Sequence, residues 1–163
     1  MENYIVINGK KAELTPEQLK ALGLETEIKS PFEMKAGELY WHITSDGRVI
    51  SEYANIVNYY ADRHNVANYC TDRKMLQQQA YRETLNRLLW RYSMEHKGNE
   101  IEWGNDKQKY QIWYCHKDKD FRVTSYMCTQ FIGSVYFTKK EIAQNAIKEI
   151  IEPFMAEHPD FKF

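Results

Sequence analysis

Residues 39–53 read LYWHITSDGRVISEY, and the reading of this stretch decides the fold. Leu39 to Thr44 alternates like a strand, Asp46-Gly47 supplies the positive-φ residues that a type I′ hairpin turn favours, and Arg48 to Tyr53 returns. Successive strand side chains point to opposite faces, so Leu39, Trp41 and Ile43 share one face while Tyr40, His42 and Thr44 share the other. Both faces carry aromatics. Downstream, the polar, tyrosine-rich stretch Asn55 to Asn65 reads as a loop and Val66 to Cys70 as a short strand. Thr71 then caps the longest helix, which should run to Glu95 or His96 and end near Gly98. Tyr81, Leu85, Leu88 and Tyr92 follow its i, i+4, i+7, i+11 stripe.

The same order returns in the second half. Lys109 to His116 and Phe121 to Met127 form a hairpin across Lys117-Asp118-Lys119-Asp120, and a short strand, Ser134 to Phe137, leads into a helix. Thr138 with Glu141 offers that helix a capping box, and Ile142, Ala146, Ile150 and Phe154 line its face. Pro153 should kink or end it. Trp41 aligns with Trp113, and Thr71 with Thr138. The expectation is an α+β domain: a single antiparallel sheet of about six strands, built from two hairpin-strand-helix units as a pseudo-repeat, with two main helices on one face. Residues 38–98 make the first unit and 99–163 the second, within one compact domain overall.

Upstream, residues 1–37 hold a smaller hairpin, a short helix and a connector. Tyr4 to Asn8 and Lys11 to Leu14 pair across Gly9-Lys10. Thr15 with Gln18 forms a capping box around Pro16, and Gly23 stops the helix. Glu25 to Gly37, with Pro31 and little periodicity, reads as a loose connector. The tail His158 to Phe163 ends FKF and should dock on the body.

At 163 residues the chain is long enough to bury a core without a staple. The 43% hydrophobic and 14% aromatic content argue against disorder. A net charge of −1 removes the bulk attraction on which sequence-independent nucleic-acid binding relies. Three cysteines, Cys70, Cys115 and Cys128, fit a reducing compartment better than a disulfide framework. No stretch reads as a signal peptide or a membrane span, so a cytoplasmic setting is expected.

Chemistry is sparse. Close C-x₂-C or H-x₃-H pairs, which zinc needs, are absent from the sequence, so neither a metal nor a cofactor is expected. If His116 opposes Phe121, Cys115 lies opposite Arg122, and two thiols are not brought together. Cys70 precedes a helix N-terminus, where a thiolate would be favoured, but Phe137 at the matching place argues for an apolar plug. No nucleophile elbow or phosphate loop occurs, and the carboxylates read as caps and solvated faces. A non-enzymatic binding surface is the better source of function. Arg73, Lys74, Arg82, Arg87, Arg91 and Lys97 outnumber Asp72, Glu83 and Glu95 on the long helix. Tyr53, Tyr59 and Tyr60 lie in or beside the polar loop. The candidate binding residues are therefore Tyr53, Tyr59, Tyr60, Arg87 and Arg91. The aromatic hairpin positions Tyr40, Trp41 and Trp113 come next.

The segments YIVINGKKAELTPEQLKALGL, KSPFE, GELYWHITSDGRV, NYCT with ETLNRLLWRYSMEH, and VYFT with EPFMAEHPDF resemble a family of small uncharacterised proteins. These are encoded by phages, prophages and other mobile elements of gut-dwelling Gram-positive bacteria. The resemblance implies an accessory protein of the bacterial cytoplasm that acts by occupying a host defence protein or a signalling nucleotide. It brings no catalytic residue with it. A nucleic-acid-associated accessory protein and a small enzyme are the alternative readings.

Overall fold

The structure, a computed structural model, describes residues 4–7, 10–23, 30–54, 63, 66–104 and 106–163. In chain order the elements are β1 (Tyr4–Ile7), β2 (Lys10–Glu13), α1 (Pro16–Ala21), β3 (Leu39–Ile43), β4 (Val49–Tyr53), α2 (Arg73–Glu95), β5 (Lys109–Cys115), β6 (Asp120–Tyr126), β7 (Tyr136–Phe137), α3 (Lys140–Ala146), a π-helical stretch (Ile147–Ile151) and α4 (Glu152–Glu157). The fold is α+β. None of the described helices is long and apolar enough to cross a membrane.

The expected single sheet does not form. β1–β2, β3–β4 and β6–β5–β7 are separate antiparallel sheets. The physical reason is that the inner edges are already taken. Trp41 and Cys70 exchange both backbone hydrogen bonds at 2.9 Å, so the segment before α2 closes the free side of β3. Likewise β7 pairs with β5 through Tyr110↔Phe137 and Gln111↔Tyr136. What the two units share is therefore local: a hairpin, then a segment laid on its first strand, then a helix. In that arrangement Cys70 and Phe137 occupy matching places, and both are fully buried. Trp41 matches Tyr110, not Trp113, so aligning the tryptophans misplaces the second unit by three positions.

The helices do not share one sheet face either. α2 bridges the two halves: Leu76 and Ala80 pack with Ile43, Cys70, Trp41 and Val49 of the first hairpin. Farther along, Leu85 packs with Ile151, Phe154 and Phe161, and Tyr92 with Phe137, Ala143 and Ala146. The α3–α4 run packs on the second sheet and α2. Its continuation past Pro153 depends on the π-helical turn just before it. That turn lets the proline ring, which has no N–H to donate, sit in the first turn of a fresh α-helix.

Local chemistry explains the ends. Thr15 and Gln18 form the reciprocal capping box at 2.9 and 3.3 Å, and Gly23 takes a positive φ just beyond α1. Asp72, not Thr71, caps α2: its carboxylate accepts from the Lys74 and Met75 N–H groups at 2.8 and 3.1 Å. Thr71 instead bonds the Pro31 carbonyl. Thr138 does not cap α3; Lys139 holds that place without a side-chain bond, and the Thr138 hydroxyl lies 3.4 Å from the His96 carbonyl. In the first hairpin only Gly47, and not Asp46, has positive φ. Gly47 N–H bonds the Thr44 carbonyl and Thr44 N–H the Arg48 carbonyl, a type I turn closed by a left-handed glycine in place of the expected type I′ turn. Lys10 already belongs to β2, paired with Ile7. The second hairpin pairs Tyr114 with Phe121 and Cys115 with Asp120, two residues away from the expected register.

The connector is not loose where it is described. Met34 packs on Tyr40, Ala54 and Tyr69, and the Tyr69 hydroxyl donates to the Phe32 carbonyl. Residues 24–29 lie outside the described residues. The C-terminal tail docks as expected. Gln78 of α2 donates to the Asp160 carbonyl at 2.9 Å and accepts from the Lys162 N–H at 2.8 Å, while Phe161 is buried.

Candidate interaction surface

The sequence-derived candidates do not converge. Tyr53 is 63% exposed at the end of β4, beside Leu39, its cross-strand partner. Arg87 lies at the opposite end of that hairpin, near Gly47 and Thr84, and pairs with Glu83 at 3.9 Å. Arg91 pairs with Glu95 at 4.0 Å a full turn farther on. Tyr59 and Tyr60 lie outside the described residues. The basic surplus of α2 is also distributed among partners. Arg73 sits 4.9 Å over the Trp41 ring, Arg82 donates to the Lys162 carbonyl at 3.1 Å, and Lys97 pairs with Glu100 at 3.3 Å. The helix therefore presents no continuous face of unengaged cations.

Two polar constellations are not legible in the sequence. On the face of the first hairpin turned away from α2, Tyr40, His42 and Glu52 meet Arg63. The Arg63 guanidinium donates to the Tyr40 hydroxyl and to Glu52, and lies 3.3 Å from His42 Nδ1. Tyr40 donates to Glu52 at 3.0 Å. The cross-strand pair Tyr40↔Glu52 places these groups side by side, because directly opposed residues share a face. Burial lowers the His42 pKa, and the nearby Arg63 charge lowers it further. The bonds from Arg63 and Tyr40 hold the Glu52 carboxyl below its ordinary value. Burial, then the bond to Glu52, raises Tyr40. With all partners satisfied, the cluster is a clasp that ties residue 63 to the hairpin.

This clasp makes stability depend on acid. Because the fold favours neutral His42, its contribution is complete above the ordinary imidazole value of 6.5 and is lost as pH falls through the lowered one. Thermal unfolding followed by circular dichroism should show a midpoint that declines as pH falls below 6.5, and His42→Gln should flatten that part of the curve. An unchanged slope in the variant would remove His42 from this role.

The second constellation is at the turn of the second hairpin, where ligand atoms of Cys115, Asp118 and Asp120 lie within 4.8 Å of one another. The observed register, which sets Cys115 opposite Asp120, brings these groups together. Arg122 occupies both carboxylates, at 2.6 Å to Asp118 and 3.2 Å to Asp120, and the Cys115 thiol lies 3.1 Å from Asp118. A guanidinium in the middle of the group is poorly matched to a metal cation.

The outer face of β5–β6 differs from both. Tyr110, Ile112, Phe121 and Val123 turn inward to α2 and α3, so alternation sends Gln111, Trp113, Thr124 and Tyr126 outward. Gln111 faces Thr124 and Trp113 faces Arg122 across the ladder. Gln111, Trp113, Thr124, Tyr126 and Phe131 line an open hollow of about 460 Å³. The Tyr126 and Phe131 rings meet edge to face at 5.1 Å, and Arg122 lies 5.6 Å over Trp113. Gln111 donates to Ser134 Oγ at 2.7 Å, and the Phe131 N–H bonds the Tyr136 hydroxyl at 2.7 Å. These bonds fix both the floor and the rim. Trp103 packs on Tyr136 and lies under the Lys109 ammonium. The loop beyond β6 adds Met127 and a fully exposed Ile132. No described helix or strand packs on this face. Its sequence signal is the alternation Gln111, Trp113 and Thr124, Tyr126, of which Trp113 stands out. Comparison with known protein families, curated proteins and solved structures finds no match to this chain.

Proposed function

We propose that the protein is a non-enzymatic accessory binding module that occupies a partner protein through the aromatic face of β5–β6 and the apolar loop after it. The observation that carries this reading is the group of Trp113, Tyr126 and Phe131 around Gln111 and Thr124, uncovered and held by the bonds to Ser134 and Tyr136. Exposed aromatic groups of this kind, rimmed by polar residues, are what protein interfaces use as anchors. A nucleic acid or a nucleotide fits less well. Its phosphates need cations, whereas Arg122 is engaged by Asp118 and Asp120, and the Lys109 ammonium donates to the Met127 carbonyl. An accessory role in phage or mobile-element biology, with a host defence protein as the partner, agrees with the sequence resemblance and belongs to the same proposal.

The test is a capture from infected host lysate with mass analysis of proteins and small molecules, run in parallel with wild type, Trp113→Ala and Phe131→Ala. Trp113 is 41% and Phe131 46% exposed, so both variants should fold. A protein retained by wild type should bind each variant at a cost of about 2 kcal/mol or more, some 30-fold. Equal retention by all three, or co-purification of a nucleotide in place of a protein, rejects the proposal.

A further inference from the structure

β6 is the outermost strand of its sheet, and its outer side is unpaired. The order is β6–β5–β7, and among the described residues no other segment hydrogen-bonds that edge. An antiparallel ladder uses alternate residues, so every second residue of β6 turns its N–H and C=O away from β5. Seven residues long, the edge lacks proline, lysine and a bulge, three of the devices that blunt one. Asp120–Tyr126 contains no proline and no lysine. Its register with β5 runs unbroken from Cys115↔Asp120 to Lys109↔Tyr126, so no bulge twists it away. Its two charged residues, Asp120 and Arg122, bind each other.

Beside the edge runs a groove of about 610 Å³. Phe121, Arg122 and Val123 form its strand wall, and its helical wall joins Gln144, Asn145 and Ile147 to the charged side chains of Lys140, Glu141, Lys148 and Glu152. Gln144 and Asn145 are exposed and bring amides that both donate and accept. Ile147 and the β6 side chains supply apolar contact. We infer that this edge and groove dock an extended peptide segment of a partner protein, added as a fourth strand. A row of backbone donors and acceptors spaced for a strand selects a strand. The alternate side chains of that strand would face either the groove or solvent. A second copy of this chain would bring its own helical wall against the same slot, so a single segment is the better occupant. The site is at the edge of the sheet, meets the aromatic outer face at Arg122, and stands whether or not that face binds a protein.

The experiment pans short random peptides displayed on phage against the full 163-residue chain, then titrates a selected synthetic peptide into labelled protein by NMR. Backbone amides of β6 and the side-chain amides of Gln144 and Asn145 should shift together. N-methylation at alternate peptide positions should weaken binding by about tenfold or more, since it removes ladder bonds. Asn145→Trp, at an exposed helix position, should abolish binding with an unchanged unfolding midpoint, whereas Lys139→Ala should leave it intact. Three outcomes overturn the inference: no enriched peptide, shifts confined to Trp113 and Phe131, or a concentration-dependent dimer that protects the β6 amides without peptide.

Discussion

Phe154→Ala should lower the free energy of unfolding by about 3–5 kcal/mol, the cost of removing a buried aromatic and leaving a cavity that its neighbours cannot close. Phe154 is buried in the first turns after Pro153, where three rings meet it. Tyr81 and Phe161 approach edge to face at 6.2 and 5.8 Å, and His158 at 4.4 Å. Two of those partners belong to the tail, which therefore depends on Phe154 for its seat. Urea unfolding should give a lower midpoint, and the tail amides should lose hydrogen-exchange protection before the rest. Phe163→Ala supplies the contrast. That ring stacks on Tyr114 at 4.9 Å but stays 36% exposed, so its loss should cost well under half as much. Equal effects from the two would mean that the cluster relaxes freely and that the tail is anchored elsewhere.

What was legible in the sequence was local. Thr15 and Gln18 announce a capping box, and the FKF ending announces a docked tail, because each depends on a few neighbouring residues. Asp46-Gly47 marks the turn but not its type. The i→i+3 bond of Gly47 to Thr44 needs a left-handed residue only at the glycine, and nothing in the dipeptide distinguishes this from a two-residue turn. Thr71 and Asp72 are both good caps; the contest was decided by Pro31, whose carbonyl takes the Thr71 N–H and hydroxyl from 40 residues away. Likewise, the division into separate sheets follows from Cys70 and Tyr136–Phe137 closing the strand edges, a long-range pairing that periodicity does not encode. The candidate site suffered most. Tyr53, Arg87 and Arg91 have the right chemistry but lie apart, since helix and hairpin run along each other for several turns. The clasp of His42, Glu52 and Arg63 depends on residues 10 or more positions apart, each of which reads alone as an ordinary polar residue. The aromatic sheet face was half visible: Trp113 stood out, while Tyr126 and Phe131 became its neighbours only through the β5–β6 register and the fold of the loop.

Leu85→Ala should cost about 2–5 kcal/mol, and it should do so through both halves of the molecule at once. Leu85 is at the middle of α2, between the stretch that packs on the first hairpin and the stretch that packs on the second sheet. It fills the junction with Ile151, Phe154 and Phe161, flanked by Leu88, Leu89 and Ile112. A 23-residue helix gains little from intrinsic propensity compared with its packed faces, so weakening its centre withdraws support from each sheet. The loss should appear in one transition, with far-ultraviolet circular dichroism and tryptophan fluorescence coinciding, because Trp41 reports the first hairpin and Trp113 the second. Arg91→Ala, by contrast, removes an exposed ion pair with Glu95 and should change stability by less than about 0.5 kcal/mol. If the Leu85 variant instead unfolds in two separated steps, the hairpin of β3–β4 and the sheet of β5–β7 are independent units and α2 is a tether between them. If both variants are neutral, the helix is held by its ends, with Asp72 and Tyr92 as the sites to test.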